Sequence, residues 1–264
     1  MESRTVKISL VAAAALLVTT GCIARGLRRE KGPSVEQTRE VAAYTAIQTG
    51  GGIDVVLSDE LKAGQIVVVA SEKMQDQILT EVEGGELNIR LRPSLLGWFG
   101  PGPMKVIVPN TGTLTRLRAS GGSDIWADQV MLRGSSLEIG CSGGSDFKGK
   151  VTVDELDVAC SGSSDFKGEV TATTCRFEAS GGSDLALSGS AKECQVDLSG
   201  GSDMDAKRFE VGDYKLSASG GSDATVLCTG HLTASASGGS DVRYSGDCQA
   251  TTSDDVSSSV KRRR

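Results

Sequence analysis

"SGGSD" at residues 120–124 returns at 142–146, as "SGSSD" at 161–165, and again at 180–184, 199–203, 219–223 and 237–241. Its Asp therefore falls at positions 124, 146, 165, 184, 203, 223 and 241. Such a period, about 19–20 positions, marks stacked repeats of one supersecondary unit and outranks any local secondary-structure reading. Between the corners, "LEIGCSG" (137–143), "LDVACSG" (156–162), "CRFEASG" (175–181), "CQVDLSG" (194–200), "YKLSASG" (214–220) and "LTASASG" (232–238) alternate apolar and polar residues. This is the period of a half-buried strand. A second short apolar-bearing run follows each corner, as in "FKGKVTV" (147–153) and "FKGEVTA" (166–172). The pattern predicts an all-β protein, a parallel β-solenoid (β-helix) with coils of about 19 residues. Its seven motif aspartates should form one column, and Leu137, Leu156, Cys175, Cys194, Tyr214 and Leu232 another.

The composition fits a narrow core. The 264 residues include 34 Gly but only 4% aromatics, so small and medium side chains are expected to fill the column. Residues 39–110 carry β-like runs without the corner, such as "AYTAIQTGGGIDVVL", "QIVVVAS" and "ELNIRLRP". They read as an N-terminal β subdomain that caps one end of the solenoid at 111–250, where a bare edge would otherwise invite association. "SEKMQDQ" reads as a short helical turn, and 251–264 as a polar, basic tail.

The segment 1–21 reads as an export signal: Arg4 and Lys7 precede the apolar run "ISLVAAAALLVTT", and "GC" follows at Gly21 and Cys22. That run, positions 8–20, is too short to cross a bilayer as a permanent helix. The segment 22–38, polar and charged with Gly and Pro, reads as a flexible tether. The formal net charge is −6 even with "KRRR" at the end, which argues against nucleic acid as a partner.

Two resemblances add to this reading. "LVTTGC" (17–22) is similar to the lipobox of bacterial lipoproteins, with Thr19 where Leu is usual. It implies diacylation of Cys22, a membrane partner through that lipid, and an exported protein anchored in the cell envelope at the outer membrane. "GGIDVVLSDE" (51–60), followed by β-runs and repeated "ASGGSD" corners, resembles the bacterial head GIN domain family of auto-transporter adhesin heads. The family's Gly-Ile-Asn falls on Gly52, Ile53 and Asp54, so Asp54 departs from it by one amide. The resemblance implies a β-helical fold and an adhesin-like role, and it supplies no catalytic residues.

The corners pose a choice between a turn and a site. Gly pairs such as Gly121 and Gly122 adopt positive φ without steric cost, and Ser and Asp accept hydrogen bonds from nearby backbone N–H groups as in Asx-turns. Against this, Asp124, Asp146, Asp165, Asp184, Asp203, Asp223 and Asp241 would stand about 4.8 Å apart. Neighbouring carboxylates then repel by roughly 0.9 kcal/mol in water and about 3.5 kcal/mol at an effective dielectric of 20. A hydrogen bond to a charged acceptor returns about 1.5–3 kcal/mol. A wet column therefore needs no cofactor, whereas a dry one would attract a cation. Calcium is the alternative, but it wants six to eight oxygens and each coil offers one Asp.

Cys141 and Cys160, and Cys175 and Cys194, each lie one repeat apart at equivalent inward positions. Parallel stacking holds their Cβ atoms about 4.8 Å apart, outside the disulfide range, so buried thiols are the expectation. The state of Cys228 and Cys248 is open. "RPSLLGWFGPGP" (92–103) places Leu95, Leu96, Trp98 and Phe99 among Pro and Gly. It reads either as a plug over the end of the column or as an apolar contact for a partner. An enzyme needs a cluster of distinct acids and bases; here the acids repeat identically and the lone His231 has no recognisable partner. The expected role is a non-enzymatic, adhesin-like rod that binds an envelope, glycan or protein partner. The alternatives are a structural spacer, a calcium-binding solenoid and a polysaccharide-active enzyme.

Overall fold

A computed structural model describes residues 34–93 and 102–263. The first strands are β1 (Ser34–Glu40), β2 (Ala46–Gly50), β3 (Ile53–Ser58) and β4 (Gln65–Ser71), followed by the one-turn helix α1 (Glu72–Gln75). Next come β5 (Ile78–Glu83), β6 (Glu86–Leu91), β7 (Met104–Pro109) and β8 (Arg116–Ser120). The repeats supply β9 (Ile125–Ser142), β10 (Phe147–Ser161), β11 (Phe166–Ser180), β12 (Asp184–Ser199), β13 (Asp203–Ala218) and β14 (Asp223–Ala236). The chain closes with β15 (Asp241–Ser245), β16 (Gln249–Asp254) and β17 (Ser259–Arg262). Among the described residues α1 is the sole helix, and no helix is long and apolar enough to cross a membrane.

The repeats stack in parallel and in register, forming a β-solenoid of about eight turns. Phe147 faces Phe166, Val151 faces Val170 and Val158 faces Phe177. The second predicted column is present: Leu137, Leu156, Cys175, Cys194, Tyr214 and Leu232 follow one another from strand to strand. Each long strand contains a bend where the alternation slips. In β11 the buried positions Phe166, Gly168 and Val170 give way to Cys175, Phe177 and Ala179, so one strand serves both faces of the coil.

The core differs from the expectation of small side chains alone. Phe147, Phe166, Phe177 and Phe209 are fully buried and touch in sequence, the first pair stacked at 5.1 Å and the later pairs edge-on at 5.9 and 6.2 Å. Glycine makes room for them. A Cβ at Gly149 would stand 2.6 Å from the Phe147 ring, and one at Gly168 would stand 2.5 Å from the Phe166 ring. The inward places two positions after Phe147 and Phe166 are left without a side chain so that the rings can fill them.

The solenoid extends beyond 111–250 at both ends. β2 pairs in parallel with β6 and β8, and β3 with β7 and β9, so the N-terminal strands form coils of the same stack. Antiparallel strands cover that end: β1 lies on β4, β4 on β7 and β5 on β6. β1 takes up positions 34–38 of the expected tether. The segment expected as a basic tail instead makes a final coil, with β16 on β14 and β17 on β15. Its corner lacks the Gly pair, and Ser258 stands in for the motif serine, its Oγ accepting from the N–H groups of Gly239 and Ser240.

Candidate functional site

The corners bind neighbouring coils to one another. Gly121 and Gly122 have φ of 63° and 75°, which turns the chain so that the motif serine points inward. Ser123, Ser145, Ser164, Ser183, Ser202, Ser222 and Ser240 are all fully buried. Each serine N–H donates to the Oγ of the next coil's serine, from Ser123 to Ser145, Ser145 to Ser164 and onward to Ser240 and Ser258, at 3.0–3.2 Å. Three of these hydroxyls, on Ser183, Ser202 and Ser222, also donate to the carbonyls of Ser180, Ser199 and Ser219.

The aspartates bond in the opposite sense. The Asp146 N–H donates to Asp124 Oδ1, Asp165 to Asp146, Asp184 to Asp165, Asp223 to Asp203 and Asp241 to Asp223, at 3.0–3.3 Å. The Asp203 N–H instead donates to the Ser183 carbonyl. At most corners these bonds take the place of the expected Asx-turns: the carboxylate reaches the neighbouring coil, because parallel stacking puts the next Asp N–H above it. Every adjacent pair of coils is thus joined in one direction by serine and, at most corners, in the other by aspartate.

The column begins one coil earlier than the seven motifs. Asp54 Oδ1 accepts from the Asp124 N–H at 3.1 Å, and the Ile53 N–H donates to Ser123 Oγ at 2.9 Å. Gly51-Gly52-Ile53-Asp54 is therefore another copy of the corner, with Ile in place of Ser. Asn would offer the same oxygen, so the substitution noted at Asp54 is silent for this bond. At the far end the Ser259 hydroxyl donates to Asp241 Oδ1 at 2.6 Å. Partial burial raises the Asp54, Asp124 and Asp165 carboxyls above the usual range, with the inter-coil hydrogen bond opposing it in each case. Among the described residues, no group of three or more His, Cys, Asp or Glu side chains is placed to hold a metal ion.

A groove of about 1010 Å³ runs along the opposite bend of the coils. Its walls carry both signs: Glu138, Glu155, Asp157, Glu193 and Asp213 are acidic, and Arg116, Arg176 and Lys215 are basic. From Arg116 to Thr233 it crosses six coil steps, roughly 29 Å at about 4.8 Å each. The Asp157 carboxyl is raised chiefly by partial burial; Arg176 opposes this and Glu178 and Glu138 add to it. His231, expected to lack a partner, places Nδ1 2.9 Å from Asp213 Oδ1, and its own N–H donates to the same oxygen. Both side chains are more than half exposed. The pair lowers the Asp213 carboxyl through the bond from His231.

The remaining expected residues fall in two places. Cys22 and the apolar group Leu95, Leu96, Trp98 and Phe99 lie outside the described residues; β6 and β7 flank the latter. Cys141, Cys160, Cys175, Cys194 and Cys228 are buried thiols, and Cys248 is half-buried.

No curated protein matches the chain. Solved structures share its architecture. A "putative adhesin" from Parabacteroides merdae superposes with a TM-score of 0.81 at 19% identity, covering 88% of this chain and 97% of the other. A "putative lipid binding protein" from Parabacteroides distasonis gives 0.80 at 19% identity, covering 89% and 98%. A second "putative adhesin" from that organism gives 0.78 at 22% identity, covering 88% and 97%. With the parallel coils, the glycine corners and the antiparallel cap in place, residues 43–248 match the family described as "Putative auto-transporter adhesin, head GIN domain", and the chain belongs to it.

Proposed function

We propose that the chain is a non-enzymatic, adhesin-like protein of the cell envelope, exported and held at the outer membrane by a lipid on Cys22. In this reading the solenoid is a rigid rod that presents the groove to an envelope, glycan or protein partner. The observation that carries it is the groove itself: a continuous channel that crosses seven coils on a scaffold whose coils are fastened at every corner. Its charges of both signs suit an extended polar ligand that crosses several coils. The His231–Asp213 pair is exposed, and the other charged side chains along the groove are spread over successive coils, whereas catalysis requires acids and bases that converge on one point.

The test is binding of the labelled full chain to whole bacterial cells and to an envelope glycan array. Glu155→Lys and Asp157→Lys lie on the exposed wall, so folding should survive and binding should fall at least tenfold. Binding that is unchanged in both variants would remove the groove from the reading; no binding above an unrelated rod would favour a spacer. The anchor is tested separately, because Cys22→Ser should lose acyl labelling and leave the membrane fraction while the body still folds. Unchanged membrane association of that variant would overturn the lipoprotein assignment.

A further inference from the structure

The three cysteine pairs are not alike. Cys141 faces Cys160 and Cys175 faces Cys194 as in-register partners inside strands. Their Cβ atoms are held near the strand spacing of about 4.8 Å, wider than the roughly 3.5–4.5 Å that a disulfide takes. All four are nearly inaccessible, at 2%, 2%, 6% and 3% exposure. Cys228 and Cys248 meet differently. Leu227 pairs with Ser245 and His231 with Gln249, so both cysteines lie in the bend between two fixed pairings. Cys248 falls between β15 and β16 and belongs to no strand. The thiols of all three pairs lie within hydrogen-bonding reach of each other, so what sets Cys228 and Cys248 apart is the backbone of the bend; the Cys228 thiol also donates to the Gly212 carbonyl at 3.3 Å. Cys228 is fully buried and Cys248 half-buried.

We propose that Cys228 and Cys248 form a disulfide that fastens the last bend of the solenoid to the coil beneath it, while Cys141, Cys160, Cys175 and Cys194 remain thiols. The bend carries no strand pairing at Cys248, so Cys248 can move to close the bond while Cys228 keeps its pairing with Val211. The accessible Cys248 reacts first: its thiolate attacks one sulfur of an oxidising disulfide, forms a mixed disulfide and expels one thiolate. Cys228 then gives up its proton and attacks Cys248 Sγ, expelling the second thiolate. Two thiol protons are released, and two electrons pass to the oxidant. Burial raises the Cys228 thiol to about 11, so the second step depends on proximity.

The experiment incubates the folded full chain with oxidised glutathione, then denatures, alkylates and digests it with trypsin for mass spectrometry. The expected product links peptides 216–243 and 244–261, with the four in-register cysteines alkylated. In Cys228→Ser, Cys248 should accumulate as the glutathione mixed disulfide; in Cys248→Ser, Cys228 should remain a thiol. Oxidation should also slow amide exchange in β15–β17 and raise the melting temperature by several degrees in the parent and not in Cys248→Ser. Alkylation of Cys228 and Cys248 as thiols after oxidation would overturn the proposal. So would a Cys141–Cys160 or Cys175–Cys194 bridge formed in preference to it.

Discussion

Ser163 is the one residue other than glycine with positive φ among the described residues, at 65°. It occupies the second glycine position of "SGSSD", where the other motif copies have Gly. A side chain in the left-handed region costs about 1–2 kcal/mol. The contact available to offset this, from Ser163 Oγ to the Gly181 carbonyl, is long at 3.5 Å and exposed. Ser163→Gly should therefore stabilise the protein by about 1 kcal/mol despite the greater entropy of the unfolded chain, raising the melting temperature by roughly 3 °C. Thermal unfolding of the two proteins at equal concentration checks this. A lower melting temperature for the glycine variant would mean that the Ser163 hydroxyl contributes more than its geometry indicates.

At the scale of the corner, the structure separates glycine, serine and aspartate by what each supplies. Gly181 has φ of 75°, and a Cβ there would stand 3.1 Å from the Gly162 nitrogen of the preceding coil. Gly181→Val therefore meets both strain and backbone and should cost more than about 2 kcal/mol. The Ser183 hydroxyl accepts from the Ser164 N–H and donates to the Ser180 carbonyl, fully buried. Ser183→Ala strands both backbone groups and should cost about 2 kcal/mol. Asp184 is exposed, and the Asp203 N–H does not bond to its carboxylate; Asp184→Asn should cost under about 0.5 kcal/mol. Denaturant unfolding orders the three, and an Asp184→Asn loss as large as that of Ser183→Ala would reverse the assignment of roles. The period, the strand register and the aspartate column were legible in the sequence because identical coils need identical residues at each level. The inward serine was missed, although Ser183 shares the alternation of Ala179 and Leu185 that marks it. Asp54 repeats the Gly-Gly-x-Asp spacing. The groove was not legible, because its wall residues differ from coil to coil and no repeat marks them. The final coil was hidden for a related reason: Ser258 keeps the hydrogen bond of the corner without the glycines that advertise it.

Over the whole molecule, the aspartate column places like charges one coil apart for the length of the rod, and the balance of burial against hydrogen bonding decides its effect. At Asp54, Asp124 and Asp165 burial is the largest influence and the bonded N–H opposes it, leaving each carboxyl raised. A carboxyl that is raised on folding binds its proton more tightly in the folded state. It therefore costs stability at neutral pH, and that cost disappears as the pH falls through its folded value towards the unfolded value of about 4. The Asp54→Asn, Asp124→Asn, Asp165→Asn triple variant keeps an oxygen acceptor at each level and removes three charges. It should melt a few degrees above the parent at pH 7, and the gap should close by about pH 4. A gap that widened on acidification would show that these carboxylates stabilise the fold through charge-assisted bonds. The same column bears on calcium. Its Oδ1 atoms at most corners already accept an N–H from the next coil, so a chelator should leave the melting temperature of the parent unchanged at pH 7. A loss of several degrees that calcium restores, and that the triple variant does not show, would make the column a metal site instead of a set of corners.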